Sequence, residues 1–203
     1  MARKVRPGWQ TRATGTFDSR KSNSPLAFES SLERDALLIC EYDDEVVELR
    51  TQPYEVEIDT QPRKSRSYPD FEVVLRSGAR KIIQVKSRFD LEQAVVRARL
   101  RRDQAIFEAL GWEYEVWPQS FIRTHPLLDN AKCLHHYRRH QAPPKLIAAL
   151  RQAFRERPEI SAQALCAEAM LRMTDVHMLL GIRLLQTDLR QPLGPPSVLR
   201  LRA

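Results

Sequence analysis

The chain has no apolar run of about 18 residues, the length a membrane-crossing helix needs, and its first residues lack the apolar core of a signal peptide. A membrane role is set aside on that ground, and the cytoplasm is the expected compartment. Cysteine is scarce. Cys40, Cys133 and Cys166 are odd in number and far apart, which argues against a disulfide framework and a structural zinc site and predicts reduced, mostly packed thiols. Internal repeats and low-complexity tracts are absent. What the sequence does have is positive charge: 33 Lys and Arg against 26 Asp and Glu, a net +7, with a pI near 9.6. Charge of that sign speaks to partners rather than fold, and it points to nucleic acid ahead of a membrane surface.

With 203 residues the chain holds one large domain or two small ones. A domain of about 130 residues buries roughly two-thirds of the surface its unfolded chain exposes, enough for a core without disulfides. Residues 1–23 read as a flexible basic arm carrying Arg3, Lys4, Arg6, Arg12, Arg20 and Lys21 against the single acid Asp18. Such an arm suits phosphate contact, though the same composition fits a terminus with no role.

From Ser24 the apolar spacing of Leu32, Ala36, Leu37, Ile39 and Cys40 predicts a helix that stops near Tyr42. Val46, Val47 and Leu49 predict an extended segment. Tyr54, Val56 and Ile58 alternate with acids as in a half-buried strand, and Thr60 to Ser67 reads as a loop. Phe71, Val73 and Leu75 form the next strand. Ser77-Gly78 signals a hairpin turn, and Lys81 to Lys86 returns. A long helix over 90–110 ends at Gly111, and Tyr114 to Trp117 closes the set. The order helix–strand–strand–strand–helix–strand describes an α/β domain built on a mixed sheet, assigned to residues 24–140. After the break at Pro143-Pro144, residues 141–203 carry three helices (145–154, 161–170, 175–188), a Pro/Gly turn and a strand at 198–201. That is a small helical, winged-helix-like domain.

The chemistry concentrates between Asp70 and Lys86. Asp70 opens one strand; thirteen residues later Gln84 and Lys86 stand two apart on the next, so they face the same side. A divalent cation such as Mg²⁺ needs only one or two protein carboxylates, and it relieves charge on a phosphodiester while activating water. Asp70 would be the central ligand, with the Val85 backbone carbonyl beside it. Lys86 would orient water or offset phosphorane charge. Glu33 and Glu29, four apart on the upstream helix, can each reach such a cation. Glu29 equally suits a first-turn position that favours the helix dipole. The alternative is a surface Asp–Lys pair on a hairpin, and the amide of Gln84 is a weaker ligand than a carboxylate. Against that alternative, the apolar run Ile82, Ile83 and Val85 marks a buried strand that carries these polar residues.

In combination and order, Ser30-Ser31-Leu32-Glu33, Val46 through Pro53, Tyr68-Pro69-Asp70-Phe71 and Gln84-Val85-Lys86 resemble the TnsA endonucleases of heteromeric cut-and-paste transposases, including CRISPR-associated ones. The resemblance spans about residues 24–140. It implies a restriction-endonuclease-like fold and a Mg²⁺-dependent site, Mn²⁺ substituting, made of Glu33, Asp70, Gln84 and Lys86. The glutamine is then expected. It also implies cleavage of the 5′ (non-transferred) strand at transposon ends, beside a TnsB-like transposase and a TnsC-like AAA+ ATPase that the C-terminal domain would meet. The competing readings are a catalytically silent DNA-binding adaptor on the same fold and a stand-alone restriction or junction-resolving nuclease.

Other basic residues bear on DNA. Arg99 and Arg102 are three apart on the long helix, and Arg138 and Arg139 sit in a His- and Arg-rich stretch. Each group suits a DNA path as well as it suits a solvated face. His136 and His140 have helical ligand spacing but no cysteine or acid in pattern. Trp112, Tyr114 and Trp117 are expected in the core or at a domain interface. The helix from Asp175 is too apolar for a convincing base reader, so protein binding is the expectation for that module.

Overall fold

The computed structural model describes residues 13–53, 56–60 and 63–202, with the backbone alone for 56–60 and 63–66. It divides into two compact units that part between Arg123 and Thr124.

The first unit opens with two short antiparallel strands, β1 (Gly15–Phe17) and β2 (Leu26–Phe28). Helix α1 (Ser31–Tyr42) follows. The apolar spacing placed its start at Ser24; instead residues 26–28 are extended, because pairing with β1 buries Leu26 and Phe17. Ser30 is the N-cap, its Oγ accepting from the Glu33 N–H at 3.1 Å. At the other end the buried Lys21 donates from Nζ to the carbonyls of Cys40 (2.6 Å) and Asp43, satisfying backbone groups that a helix terminus leaves open.

Next come β3 (Val46–Thr51), β4 (Val56–Thr60), β5 (Arg63–Ser67), β6 (Phe71–Leu75) and β7 (Arg80–Lys86). Helices α2 (Arg88–Glu92) and α3 (Ala94–Ala109), strand β8 (Glu113–Pro118) and the one-turn helix α4 (Gln119–Ile122) complete the unit. The four-stranded sheet runs β3-β6-β7-β8, antiparallel except for the parallel pair β7–β8. Two expectations change here. The strand expected over 54–59 does not join this sheet: its described part, β4, pairs with β5, where a loop was expected. The long helix breaks at Gln93, whose extended backbone separates α2 from α3. Gly111, at φ 77°, ends α3 as expected, in a left-handed conformation that a β-carbon would strain.

Strand alternation divides the sheet. Ile82 and Tyr114 pack with Phe107 of α3 on one face, while α1 packs against β3 and β7. Phe71, Val73, Ile83 and Val85 are buried on the face opposite Ile82. Full burial of an Ile or Phe side chain contributes roughly 1.5–3 kcal/mol. A one-residue slip of β7 would reverse every one of these positions, so the register is fixed. Gln84 and Lys86 follow Ile82 onto the α3 face.

The second unit contains α5 (Leu127–His136), α6 (Pro144–Ala153), β9 (Glu159–Ser161), α7 (Ala162–Ala169), α8 (Met173–Gly181), β10 (Leu185–Gln186) and β11 (Val198–Leu201). The three strands form an antiparallel sheet in the order β10-β11-β9. The boundary read at 140/141 falls inside this unit, because α5 packs against α8. Gly181 makes that approach possible: a β-carbon there would lie 2.5 Å from the Leu134 carbonyl oxygen and 2.7 Å from the Tyr137 Cβ. Helix α8 is also shorter than the expected 175–188, since Leu185 and Gln186 turn into the sheet.

Candidate active site

The end of β7 assembles the site. Register places Phe71 opposite Ile83, so Asp70, one residue earlier, meets Gln84. Asp70 Oδ2 accepts from Gln84 Nε2 at 2.5 Å and from the Val85 N–H at 2.7 Å. Lys86 Nζ stands 3.8 Å from the same oxygen and donates to the Val85 carbonyl at 2.9 Å. Asp70, Gln84, Val85 and Lys86 therefore converge, as the strand spacing predicts.

Burial pushes the Asp70 carboxyl up to about 7. Lys86 and the Val85 N–H pull it back, while the negative charges of Glu33 and Glu29 push the same way as burial. Both glutamates are thus close enough for Asp70 to feel, and Glu33 acts more strongly than Glu29. Their local roles reverse the expectation. Glu33, not Glu29, lies in the first helical turn, accepting from Ser30 Oγ at 2.9 Å and from the Glu29 N–H at 2.7 Å. Glu29 precedes the cap and accepts from Gln52 Nε2 at 2.9 Å.

Sequence reading assigned no role to Gln52, yet it ties the site together. Its N–H donates to the Asp70 carbonyl at 3.0 Å while its side chain holds Glu29. It does so with φ at 44°, a left-handed backbone uncommon outside glycine and asparagine. Asp103 of α3 also escaped sequence reading. It is buried, accepts from Ser67 Oγ at 2.7 Å and from Arg102 at 2.8 Å, and so pins the segment that leads into Asp70. Nothing local in the sequence marks either contact, because each spans a long separation.

The donors present suit a hard cation: a carboxylate on Asp70, a carbonyl on Val85, the amide oxygen of Gln84 and the nearby carboxylate of Glu33. Among the described residues, no three His, Cys, Asp or Glu side chains gather as a metal cluster. The set here is mixed, with amide and backbone oxygens beside the acids.

Residues 43–118 match the family model of the TnsA-like endonuclease N terminal. This TnsA-like segment contains Asp70, Gln84 and Lys86 and covers the whole four-stranded sheet. Glu33 lies before it. The mixed sheet with flanking helices fits a nuclease fold, and the match makes residues 43–118 similar to the N-terminal domain of TnsA-like endonucleases. No curated protein matches the chain. No helix among the described residues is long and apolar enough to cross a membrane.

The basic residues separate. Arg3, Lys4 and Arg6 lie outside the described residues. Arg99 is exposed on α3, whereas Arg102 is engaged by Asp103 and does not share a free face with it. In the second unit Arg139 is exposed, and Arg138 is half-buried, donating to the His135 carbonyl at 3.2 Å. The His136 and His140 rings stand 6.4 Å apart and tilted. Tyr114 is a core residue and Trp112 packs on its cluster, while Trp117 donates to Glu115 and meets the Phe121 ring edge-on.

Proposed function

We propose that this chain is a Mg²⁺-dependent DNA endonuclease of a transposase complex, cutting the 5′ (non-transferred) strand at transposon ends. The observation that carries the reading is the convergence of Gln84, Val85 and Lys86 on a single oxygen of Asp70, within a segment matched to TnsA-like endonucleases.

Asp70, Glu33, the Gln84 amide oxygen and the Val85 carbonyl would hold the cation. When bound, it would supply charge relief at the phosphate and a more acidic water. The chain's own groups do the rest. Asp70, held by Gln84 Nε2 and the Val85 N–H, presents its carboxylate beside Lys86. Lys86 brings an ammonium group to the same point, where it offsets charge building on the phosphate oxygens or orients the attacking water. The buried Gln84 excludes bulk water behind Asp70 and holds its carboxylate plane. The Ser67–Asp103 bond fixes the approach of the Asp70 segment.

The second unit is read as a winged-helix-like, partner-binding module. Its element order, with one strand before α7 and two after α8, supports that form. The packing of α5 on α8 occupies the helix that would otherwise enter a DNA groove, which favours a TnsC-like ATPase as its partner over base reading.

The test is reconstituted transposition with a TnsB-like transposase and a TnsC-like ATPase. Asp70→Ala is expected to abolish the 5′ cut while 3′ cutting and joining continue. Wild-type 5′ cutting by Asp70→Ala would exclude this active site.

A further inference from the structure

A second feature opens one step past Lys86. Lys86 pairs in register with Pro118 across the parallel strands. Pro118 is a wall of a cavity of about 390 Å³, within the size range of small-ligand sites, roughly 300–1,000 Å³. Leu91 and Pro118 give it apolar surface. Gln119, Ser120 and Arg123 line the side contributed by α4 and its end.

Arg123 does not hang loose. Its Nε donates to the buried Asp35 at 3.2 Å, and another guanidinium nitrogen donates to Ser31 Oγ at 3.2 Å. Both anchors sit on α1, on either side of Glu33. The helix that brings Glu33 towards Asp70 therefore also orients a guanidinium along the cavity wall. A guanidinium so held has lost its rotational freedom before any ligand arrives, and its planar fork suits a phosphate. Glu92, which also lines the cavity, pairs with Arg88 at 3.1 Å. On the same short helix Phe89 is 70% exposed, an aromatic face without a covering residue.

We infer that this cavity receives one unstacked nucleotide of the DNA beside the bond to be cut. Its base lies against Leu91 and Pro118 and its phosphate against Arg123, while Phe89 offers a stacking face to the neighbouring base. The inference rests on the nuclease reading for the position of the DNA and adds the strand deformation that reading leaves open. An apolar slot edged by two arginines, Arg88 and the anchored Arg123, matches a nucleotide, which has an apolar π-face and one charge. Base–aromatic stacking of this kind is sequence-tolerant, and extruding a base costs least where the duplex is already weak.

The probe is a 30-base-pair duplex with a three-nucleotide single-stranded tail carrying 2-aminopurine, compared with the same duplex made blunt, in Ca²⁺ to prevent cutting. Wild-type protein is expected to bind the tailed duplex more tightly and to change the 2-aminopurine fluorescence. Leu91→Ala, which removes the apolar wall, and Ser120→Glu, which places a negative charge at an exposed lining position, are each expected to lose about 10-fold in preference for the tailed form. Thermal melting confirms that each variant is folded, and either one alone suffices. Equal binding of tailed and blunt duplexes by wild type, or wild-type preference and fluorescence in a folded variant, overturns the inference. Asp70→Ala is expected to keep the preference. Tail binding by wild type, with no 5′ cut in the reconstituted reaction in Mg²⁺, would therefore sink the nuclease reading and leave the cavity assignment standing.

Discussion

Two carboxylates stand two residues apart near one end of the central sheet and meet opposite fates. Glu72 is 1% exposed, and two arginines close on it, Arg80 at 3.1 Å and Arg50 at 3.6 Å. Arg80 in turn lies over the Trp112 ring at 5.5 Å. Asp70 has one lysine at 3.8 Å and two glutamates nearby that push its carboxyl the wrong way. The first acid is neutralised within the protein and serves the fold. The second has a single cation beside it among the described residues and keeps a raised carboxyl. The two acids differ in exposure, 1% for Glu72 and 21% for Asp70, and in the charges of their neighbours.

Three substitutions sharpen that contrast, beyond the loss of cutting in Asp70→Ala. Lys86→Ala should slow cleavage by about 10²–10⁴-fold, the usual span for a positioned proton-transfer or charge-stabilising group. Cation binding, followed by isothermal titration, should persist; unchanged cleavage would remove Lys86 from the mechanism. Glu72→Gln should leave the site chemistry alone and cost about 1–3 kcal/mol in urea denaturation, because the arginines around it lose their counter-charge. A stability unchanged within error would mean that the pair only breaks even.

The smallest effect is the most diagnostic. The Asp70 carboxyl is raised in the folded protein to about 7 from an ordinary 3.8. Between those values the folded state binds more protons than the unfolded one. Its contribution to stability is therefore present below about pH 4 and lost as pH rises towards 7. Asp70→Asn removes the titrating group and keeps an acceptor for Val85. In EDTA at pH 8 it should melt on the order of 5 °C higher than wild type, with the gap closing near pH 4. A variant that melts lower at pH 8 would show Asp70 to be a structural acid like Glu72.

Much of the first unit is legible in the sequence because its signals are local. The alternation at Phe71, Val73, Ile82, Ile83 and Val85 gives two strands, Ser77-Gly78 gives their turn, and the pairing of Asp70 with Gln84 follows from both. Gly111 gives the end of α3. The misread pieces depended on partners elsewhere in the chain. Residues 26–28 look helical until β1 is there to pair with them. The alternating run at 54–59 promised a place in the main sheet, but its described part pairs with its own neighbour, residues 63–67. The break at Gln93 carries no proline or glycine to announce it. Within the site, sequence weighed Glu29 as a first-turn residue because it began the helix too early. Gln52, Asp103 and Arg123 lay beyond its reach, since their contacts span 23, 36 and 88 residues.

Those separations also set when each part of the molecule is available during synthesis. Asp70 and Gln84 are 14 apart and joined by a hairpin, whereas Arg123 finds Asp35 across 88 positions. Loop closure costs more as the loop lengthens. A nascent chain that has emerged as far as Lys86 already contains every residue of the acid–lysine hairpin, but it has no β8, no α4 and no cavity. The acid–lysine hairpin is encoded first, and the lining of the cavity is complete only when synthesis has passed residue 123.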